Sequence, residues 1–388
     1  MRELVTSNTV PITPMFVGNG THTLVVDGNY LMKASFEATQ HNHEFINTRG
    51  KHYGGLYMFM TTLRKFVRDL GVNKVIVMWD GENGGQLRHD IYPDYKANRA
   101  GKKWSGTTTL TEAQIREQER SRRTMLSQRQ RVKEYLEELF IRQVEIDIIE
   151  GDDLIAYYCQ RYHKEEKITV FSNDGDMLIL VQYDNVNVYL PSKKKAFNKS
   201  NYYLHFPYHY SNACLLKTIC GCSADNIKGI VNMGETTLLN NFPGLKDRTY
   251  SYLELIVEAE NINKARESGK GKEKKKRLKV LDSLVKGESM RWNPRKGEEE
   301  PKELGMEFFE INEKIVDLQH PMMRPEDIEE LELNAESPLS IEDRGSKNLL
   351  ALANQDSFLS TFGENFVKYV EPFYPVILRE KKLTADSK

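Results

Sequence analysis

The segment Ile149-Glu150-Gly151-Asp152-Asp153-Leu154-Ile155-Ala156 places three carboxylates within four residues. An apolar run at residues 144–149 leads into it and is predicted to be a β-strand. A helix is predicted to follow, because apolar side chains recur at i, i+3, i+4 and i+7 in Ile155, Tyr158, Cys159 and Tyr162. A single acid in a first helical turn is a common cap. Three acids repel one another unless a cation neutralises them, so an acidic cap and a cation site are both open interpretations here.

Three other apolar runs end in an aspartate followed by glycine, and a predicted helix at residues 54–70 separates the first two. The aspartates at these ends are Asp27, Asp80, Asp174 and, two residues later, Asp176. One Asp-Gly pair alone would be interpreted as a turn. Three at strand ends predict an α/β domain with a central, mostly parallel sheet flanked by helices. Ligands of such sheets bind beyond the carboxyl ends of the strands, so we expect these acids to converge with the first segment.

The predicted cluster contains only carboxylates. Its members are Asp27, Asp80, Glu150, Asp152, Asp153, Asp174 and Asp176. Hard cations such as Mg²⁺ and Mn²⁺ prefer oxygen ligands, and no histidine joins the cluster in sequence, which argues against zinc. The sequence therefore predicts a magnesium or manganese site.

The segment at residues 87–135 is the most basic part of the chain, with twelve Lys and Arg against six Asp and Glu. Tyr92, Tyr95 and Trp104 are interleaved with these cations. Lys and Arg neutralise phosphates and aromatic rings stack on unpaired bases, which favours nucleic-acid binding over the alternative of a solvated helix face. A packing stripe predicts an amphipathic helix at residues 125–140, whereas residues 101–121 lack one and are expected to be mobile.

Composition restricts the class of protein. The chain has 388 residues and a formal net charge of −1, so only the distribution of charge can indicate a nucleic-acid partner. Its four cysteines form no C-x-x-C pair, which predicts reduced thiols. No apolar run approaches the roughly 18 to 20 residues of a membrane span, and no signal pattern is present at the N-terminus. We expect a cytoplasmic monomer without a membrane partner.

The glycine-containing segment at residues 221–237 predicts a tight turn that leads into a helix. Such a turn exposes backbone N–H groups to an anion. With this segment, six motifs stand in the order found in the 5′-nuclease or flap-endonuclease superfamily, and the chain is most similar to its T-even-type phage ribonuclease H group. The motifs are Val26-Asp27-Gly28, Asp80-Gly81, the run from Arg88 to Arg99, Glu150-x-Asp152-Asp153, Asp174-x-Asp176 and Ala224-Asp225-Asn226-Ile227-x-Gly229. The resemblance covers about residues 22 to 260.

This resemblance implies a helical arch over the site, a C-terminal helix–hairpin–helix-like region that binds duplex, and two Mg²⁺ ions that Mn²⁺ can replace. Lys96 and Arg99 are then catalytic cations at the scissile phosphate. The implied first-site ligands are Asp27, Asp80, Asp152, Asp153 and Asp174, grouped with Glu150. Those of the second site are Asp176 and Asp225. The implied nucleic-acid contacts are Arg88, Tyr92, Tyr95, Lys96, Arg99, Gly229 and Gly234.

Two positions depart from the family pattern. Cys222 stands where the family usually has an acid near the second ion, which predicts weaker binding of that ion. Asn232 stands where the hairpin usually has glycine, and asparagine tolerates left-handed backbone better than most residues.

The predicted organisation has three parts. A lead-in occupies residues 1–21. A catalytic α/β domain spans residues 22–200 and includes the arch at 87–135. A mainly helical duplex-binding region spans residues 201–388 and contains a mobile insertion at about 264–304, whose Gly, Lys and Glu composition suits a linker.

The predicted function is metal-dependent 5′→3′ exonuclease and flap endonuclease activity on duplex, flap or RNA–DNA hybrid 5′ ends. The expected biological role is removal of RNA primers during phage DNA replication in the host cytoplasm, with a single-strand binding protein or a sliding clamp as a further partner. A PIN-like endoribonuclease and a structure-specific binding protein with impaired catalysis are the alternatives.

Overall fold

The computed structural model describes residues 20–47, 49–97, 111–268, 275–293, 296–342, 344–356, 358 and 366–387. The expectations for Arg99, Trp104 and nearly all of the N-terminal lead-in lie outside these residues.

A six-stranded sheet forms the centre of the α/β domain, in the order β3-β2-β1-β4-β5-β6. Strands β1 to β5 are parallel and β6 runs antiparallel to β5. The strands are β1 (His22–Asp27), β2 (Lys74–Asp80), β3 (Arg142–Ile146), β4 (Lys167–Phe171), β5 (Val186–Leu190) and β6 (Lys195–Phe197). The predicted sheet is therefore confirmed, and each acid that ends β1 and β2 lies at the same edge.

Helices cover both faces of this sheet. They are α1 (Gly28–Thr39), α2 (Gly54–Leu70), α3 (Gln86–Ile91), α4 (Glu112–Glu138) and α5 (Gly151–Tyr162). The apolar stripe predicted at residues 54–70 is the buried face of α2, which packs with α1 and α4 in one core. Helix α5 packs in the core on the opposite face. Helix α2 ends at Leu70 and is capped by Gly71, whose φ of 60° is the left-handed conformation that glycine adopts without strain.

Helix α4 is longer than the sequence predicted. Thr111 and Gln114 form a capping box at its N-terminus, so the helix begins at Glu112 within the segment expected to be mobile. Its first turns are exposed, whereas its last turns pack into the core through the buried side chains of Val132, Tyr135 and Leu136. The expectation for residues 112–121 is thus corrected, because local capping supports this end of the helix without a packing stripe.

A second cluster of elements follows the sheet and has its own hydrophobic core. It contains α6 (Ala213–Cys220), β7 (Gly221–Cys222), β8 (Ile227–Lys228), α7 (Glu235–Asn241), α8 (Tyr252–Ser268), α9 (Lys279–Val285), β9 (Glu288–Asn293), β10 (Glu298–Glu303) and α10 (Met306–Val316). Strands β7 and β8 form a short antiparallel hairpin between α6 and α7. This order of elements is a helix–hairpin–helix-like arrangement.

The insertion predicted at residues 264–304 is folded wherever the structure describes it. Leu281 and Leu284 of α9 are fully buried in the second core. Strand β9 pairs with β10, and its Ser289 also forms a bridge with Ile230. The prediction of a mobile linker is therefore corrected for these residues, because a few apolar side chains within a charged segment are enough to anchor it.

The C-terminal helices return to the α/β domain. They are α11 (Pro325–Glu336), α12 (Ser346–Gln355), α13 (Phe366–Val370) and α14 (Tyr374–Asp386). Buried Arg142 of β3 donates to Glu380 of α14 over 3.1 and 2.5 Å. The predicted boundary at residue 200 is corrected accordingly, since the chain beyond α10 packs against the sheet rather than with the second cluster of elements. No helix in the described ranges is long and apolar enough to cross a bilayer.

Candidate active site

A cavity of about 380 Å³ lies beyond the carboxyl ends of the parallel strands. Seven of the eight predicted acids line it: Asp27, Asp80, Glu150, Asp152, Asp174, Asp176 and Asp225. Lys96 of the predicted catalytic pair also lines it, together with Arg88 and Tyr95. The convergence expected from strand topology is therefore present, although the acids come from five separate parts of the chain.

Backbone and side-chain donors hold the acids at the ends of β1 and β2. Asp27 caps α1 by accepting from the Tyr30 N–H over 2.8 Å, and Ser172 donates its hydroxyl to the other Asp27 oxygen over 2.8 Å. Asp80 accepts from the Gly151 N–H over 2.8 Å. This last contact ties the end of β2 to the first turn of α5, which carries Asp152.

Burial and mutual repulsion raise the pKa values of several of the acids that line the cavity. Burial, followed by the charges of Asp80 and Asp174, raises the pKa of Asp27 to about 6. Burial and the same Asp174 charge raise the pKa of Asp152 well above its usual value. The pKa of Asp176 rises to about 6 because burial and Asp174 outweigh Lys217. A bound cation would relieve this repulsion.

The donor set fits a hard divalent cation, because every acid that lines the cavity offers carboxylate oxygens. Within the described ranges, however, no three His, Cys, Asp or Glu side chains are close enough together to form a ready coordination shell. Several acids are instead engaged with donors, as Asp176 is with Lys217. Ion binding would therefore draw side chains together or leave part of the shell to water.

Asp153 is the one predicted ligand that does not line the cavity. Its carboxylate is 1% exposed and pairs with the guanidinium of Arg88, with one contact at 3.0 Å. It also accepts from the Met322 N–H over 2.9 Å. Arg88 is itself buried and donates to the Ile315 carbonyl over 2.9 Å. Both residues thus join α3, α5 and the end of α10. Asp153 lies outside the cavity lining, whereas Arg88 also lines the cavity, and their roles as metal ligand and nucleic-acid contact stay predictions.

Glu150 connects the acids of the cavity to the segment that contains Tyr95 and Lys96, at the base of the predicted arch. It accepts from the Tyr95 hydroxyl over 2.9 Å, from Lys96, and lies 3.1 Å from Arg88. Burial raises the pKa of Glu150, but the charges of Lys96 and Arg88 outweigh burial and hold it below the usual value. Lys96 has a left-handed φ of 54°, held by a 2.8 Å hydrogen bond from its N–H to the Asp225 carbonyl.

The two tyrosines that were predicted to stack on bases, Tyr92 and Tyr95, do not present exposed rings. Tyr95 is buried against Ile227, and Tyr92 is half-buried in the same small cluster. The Tyr92 hydroxyl donates to the Asn226 carbonyl over 3.4 Å. Both rings therefore join the segment after α3 to the β7–β8 hairpin.

The backbone around the β7–β8 hairpin accounts for glycine and asparagine at particular positions. A Cβ at Gly229 would lie 2.2 Å from the Cys220 carbonyl oxygen, so only glycine fits there. Gly234 precedes α7 and has open space around it. Asn232 adopts a φ of 59°, the left-handed conformation for which the sequence predicted that asparagine would serve.

Sequence reasoning missed Lys217, and it did not separate Arg129 from the other basic residues. Lys217 is a cation on the largely apolar helix α6 and pairs with Asp176. Burial lowers the pKa of Lys217, but Asp176 and Asp174 raise it above its usual value. A single lysine in an apolar helix was the available signal. Cys222 donates its thiol to Asp225 over 3.2 Å, and its effect on the second ion stays a prediction.

Residues 22–206 match the family model described as the 5′-3′ exonuclease, N-terminal resolvase-like domain. The 5′-3′ exonuclease of Mycoplasmopsis pulmonis is 29% identical over 304 residues, which are 76% of this chain and 88% of that protein. The 5′-3′ exonuclease of Bacillus subtilis is 28% identical over 224 residues, covering 56% of this chain and 69% of that protein.

Two solved structures share the fold. Bacteriophage T5 5′-exonuclease with bound zinc superimposes with a TM-score of 0.56 at 17% identity, over 87% of this chain and 98% of that one. Bacteriophage T5 flap endonuclease, in a pseudo-enzyme–product complex with DNA and metal ions, gives 0.53 at 18% identity, over 86% and 100%.

Proposed function

Because the chain belongs to the 5′-nuclease superfamily, we propose that it hydrolyses phosphodiester bonds as a divalent-metal-dependent 5′→3′ exonuclease and flap endonuclease. The observation that carries this proposal is the meeting of seven carboxylates in one cavity at the carboxyl edge of the sheet. Such a cluster is costly to the folded protein unless cations are bound.

In this proposal Asp27, Asp80, Asp152 and Asp174 would hold one ion, and Asp176 and Asp225 a second. Glu150 would support both ion sites through its contacts with Tyr95, Lys96 and Arg88. Mg²⁺ or Mn²⁺ bound there would lower the pKa of an attacking water and neutralise charge on the phosphate and the leaving oxygen. Asp153 has no part in holding the ions, because its charge is already paired with Arg88.

The protein's own groups position the substrate. Lys96 lines the cavity with its backbone fixed by Asp225, so its ammonium is available to a scissile phosphate at low conformational cost. Glu150 holds that ammonium before substrate binds. Lys217 compensates part of the charge of Asp176 and so keeps the second group of acids from excess repulsion.

The proposed substrates are 5′ ends of duplex, flap and RNA–DNA hybrid. Support comes from the helix–hairpin–helix-like order of α6, β7–β8 and α7, with a Gly229 that lets two backbones approach closely. Such an element suits backbone N–H contacts to a phosphate. Removal of RNA primers during replication is the role we propose for this activity, with a single-strand binding protein or sliding clamp as a further partner of a monomer.

A 5′-labelled flap, a nicked duplex and an RNA–DNA hybrid, each incubated with Mg²⁺ and with EDTA, test the proposal. We expect short 5′ products with Mg²⁺ only, and a loss of about 100-fold or more in Asp174→Asn with its fold intact. Cleavage of single-stranded RNA alone would favour the PIN-like alternative. Tight flap binding without cleavage in any divalent ion would favour a binding protein with an impaired site.

A further inference from the structure

Arg129 forms part of the cavity wall that α4 supplies. It lines the cavity with Met125 and Leu126 of the same helix, and these three residues are called the arch wall. This wall faces the substrate space shared with the seven acids. Any group bound there would meet an apolar surface and one guanidinium.

The guanidinium of Arg129 is held in place before any substrate binds. Its carbon lies 5.0 Å above the ring of Trp79, which is fully buried and stacked on Phe59. One terminal nitrogen donates to the Asp80 carbonyl over 3.2 Å and to Glu145 over 3.1 Å. The group is therefore fixed beside the end of β2, next to a proposed metal ligand.

This guanidinium is incompletely satisfied. Its Nε is buried and has no hydrogen-bond partner among the described residues. A buried donor without an acceptor is costly, so the pairing of this guanidinium within the protein is incomplete. Its carboxylate partner, Glu145, is moreover shared with Lys133. One carboxylate thus serves two cations, and net positive charge remains at the arch wall.

We propose that Arg129 binds a phosphate oxygen of the cleaved strand beside the scissile phosphate. Since this builds on the proposed nuclease activity, the bound group is a nucleic-acid phosphate, either an internal diester or the 5′-terminal monoester. A planar, fixed guanidinium suits such oxygens better than a lysine does.

Lys133 provides a matched control. It shares Glu145 and also lies over the Trp79 ring, at 5.5 Å, but it is not among the residues that line the cavity. Replacing Arg129 or Lys133 by methionine keeps an apolar stem on Trp79 and removes one charge in each case. The two variants differ in whether the lost cation faces the substrate.

The test measures single-turnover cleavage and, by anisotropy in EDTA, affinity for the same oligonucleotides. Methylphosphonate replaces one phosphate at a time on each side of the scissile bond, and the 5′ end carries a phosphate or a hydroxyl. Relative to the wild type, we expect Arg129→Met to lose about 10- to 100-fold in the single-turnover cleavage rate or in the affinity for the oligonucleotide. Lys133→Met should lose less than about 3-fold in either quantity. At the contacted phosphate, methylphosphonate should reduce the Arg129→Met deficit to about 2-fold.

A deficit that disappears with a 5′-hydroxyl identifies the terminal monoester as the contact, and one that disappears at an internal methylphosphonate identifies a diester. Equal losses in both methionine variants, or a deficit unchanged by every neutralised phosphate, would overturn the assignment. If the wild type binds but does not cleave, the proposed nuclease function fails, while the affinity measurements still decide whether Arg129 contacts phosphate.

Discussion

Removal of the Glu380 charge should destabilise the whole catalytic domain. The Glu380 side chain is 1% exposed and accepts two hydrogen bonds from the equally buried Arg142, at 3.1 and 2.5 Å. Glu380→Gln leaves that guanidinium with the carbonyls of Asn334 and Ser337 but without its counter-charge. Breaking a buried pair from one side costs about 3 to 5 kcal/mol.

The expected shift in melting temperature follows from chain size. About 2.1 cal/mol/K per residue over 388 residues gives an unfolding entropy of about 0.8 kcal/mol/K, so the melting temperature should fall by about 4 to 6 °C. Calorimetry measures this shift. Asp184→Asn is the control, because the Lys199–Asp184 pair is exposed and should contribute less than about 1 °C.

A double variant isolates the charge from the packing. Arg142→Met with Glu380→Leu removes both charges and should recover most of the stability that Glu380→Gln loses. A Glu380→Gln protein that melts within 1 °C of the wild type would refute the reasoning. It would mean that the Arg142–Glu380 pair does not hold α14 on the domain.

Three further predictions concern other regions. Leu284→Ala should cost about 2 to 5 kcal/mol in chemical denaturation, because Leu284 is fully buried, whereas a mobile insertion would tolerate the change. Burial, followed by the charge of Lys167, lowers the pKa of His22 to about 4 in the folded protein. Between pH 6.5 and pH 4 the unfolded chain therefore binds a proton that the folded protein does not bind, so the free energy of unfolding falls as the pH drops through this range. His22→Gln should flatten that decline in pH-dependent melts, and an identical slope would contradict it. Cys222→Asp should lower the Mg²⁺ concentration for half-maximal cleavage, with Cys222→Asn as the neutral control and a raised midpoint as the contrary result.

The fold and most of the acidic site could be predicted because they depend on local patterns. An apolar run that ends in aspartate specifies both a buried strand and the edge at which its acid lies. Parallel pairing of β1 with β2 and β4 then brings Asp27, Asp80 and Asp174 together. Asp225 lies in a separate cluster of helices, and only the resemblance to a known family pointed to it.

Asp153 shows where such patterns stop. Adjacent residues of a helix project about 100° apart, and here Asp152 lines the cavity while Asp153 pairs with Arg88. Which of them faces the cavity depends on how α5 is rotated against the sheet, and the sequence does not specify that rotation. The folded insertion was missed for a different reason, since its charged composition concealed the buried spacing of Leu281 and Leu284.

The charge balance of the cavity bears on the proposed number of ions. Seven acids line it with five cations: Lys33, Arg88, Lys96, Arg129 and Lys217. When ion binding ionises all seven acids, about three negative charges remain uncompensated, because Arg88 is already paired with Asp153 outside the lining. One divalent ion would leave the cavity negative and repel a phosphate. Two would leave about one positive charge, which matches the single negative charge of a phosphodiester, so charge alone favours the two-ion form of the proposed mechanism.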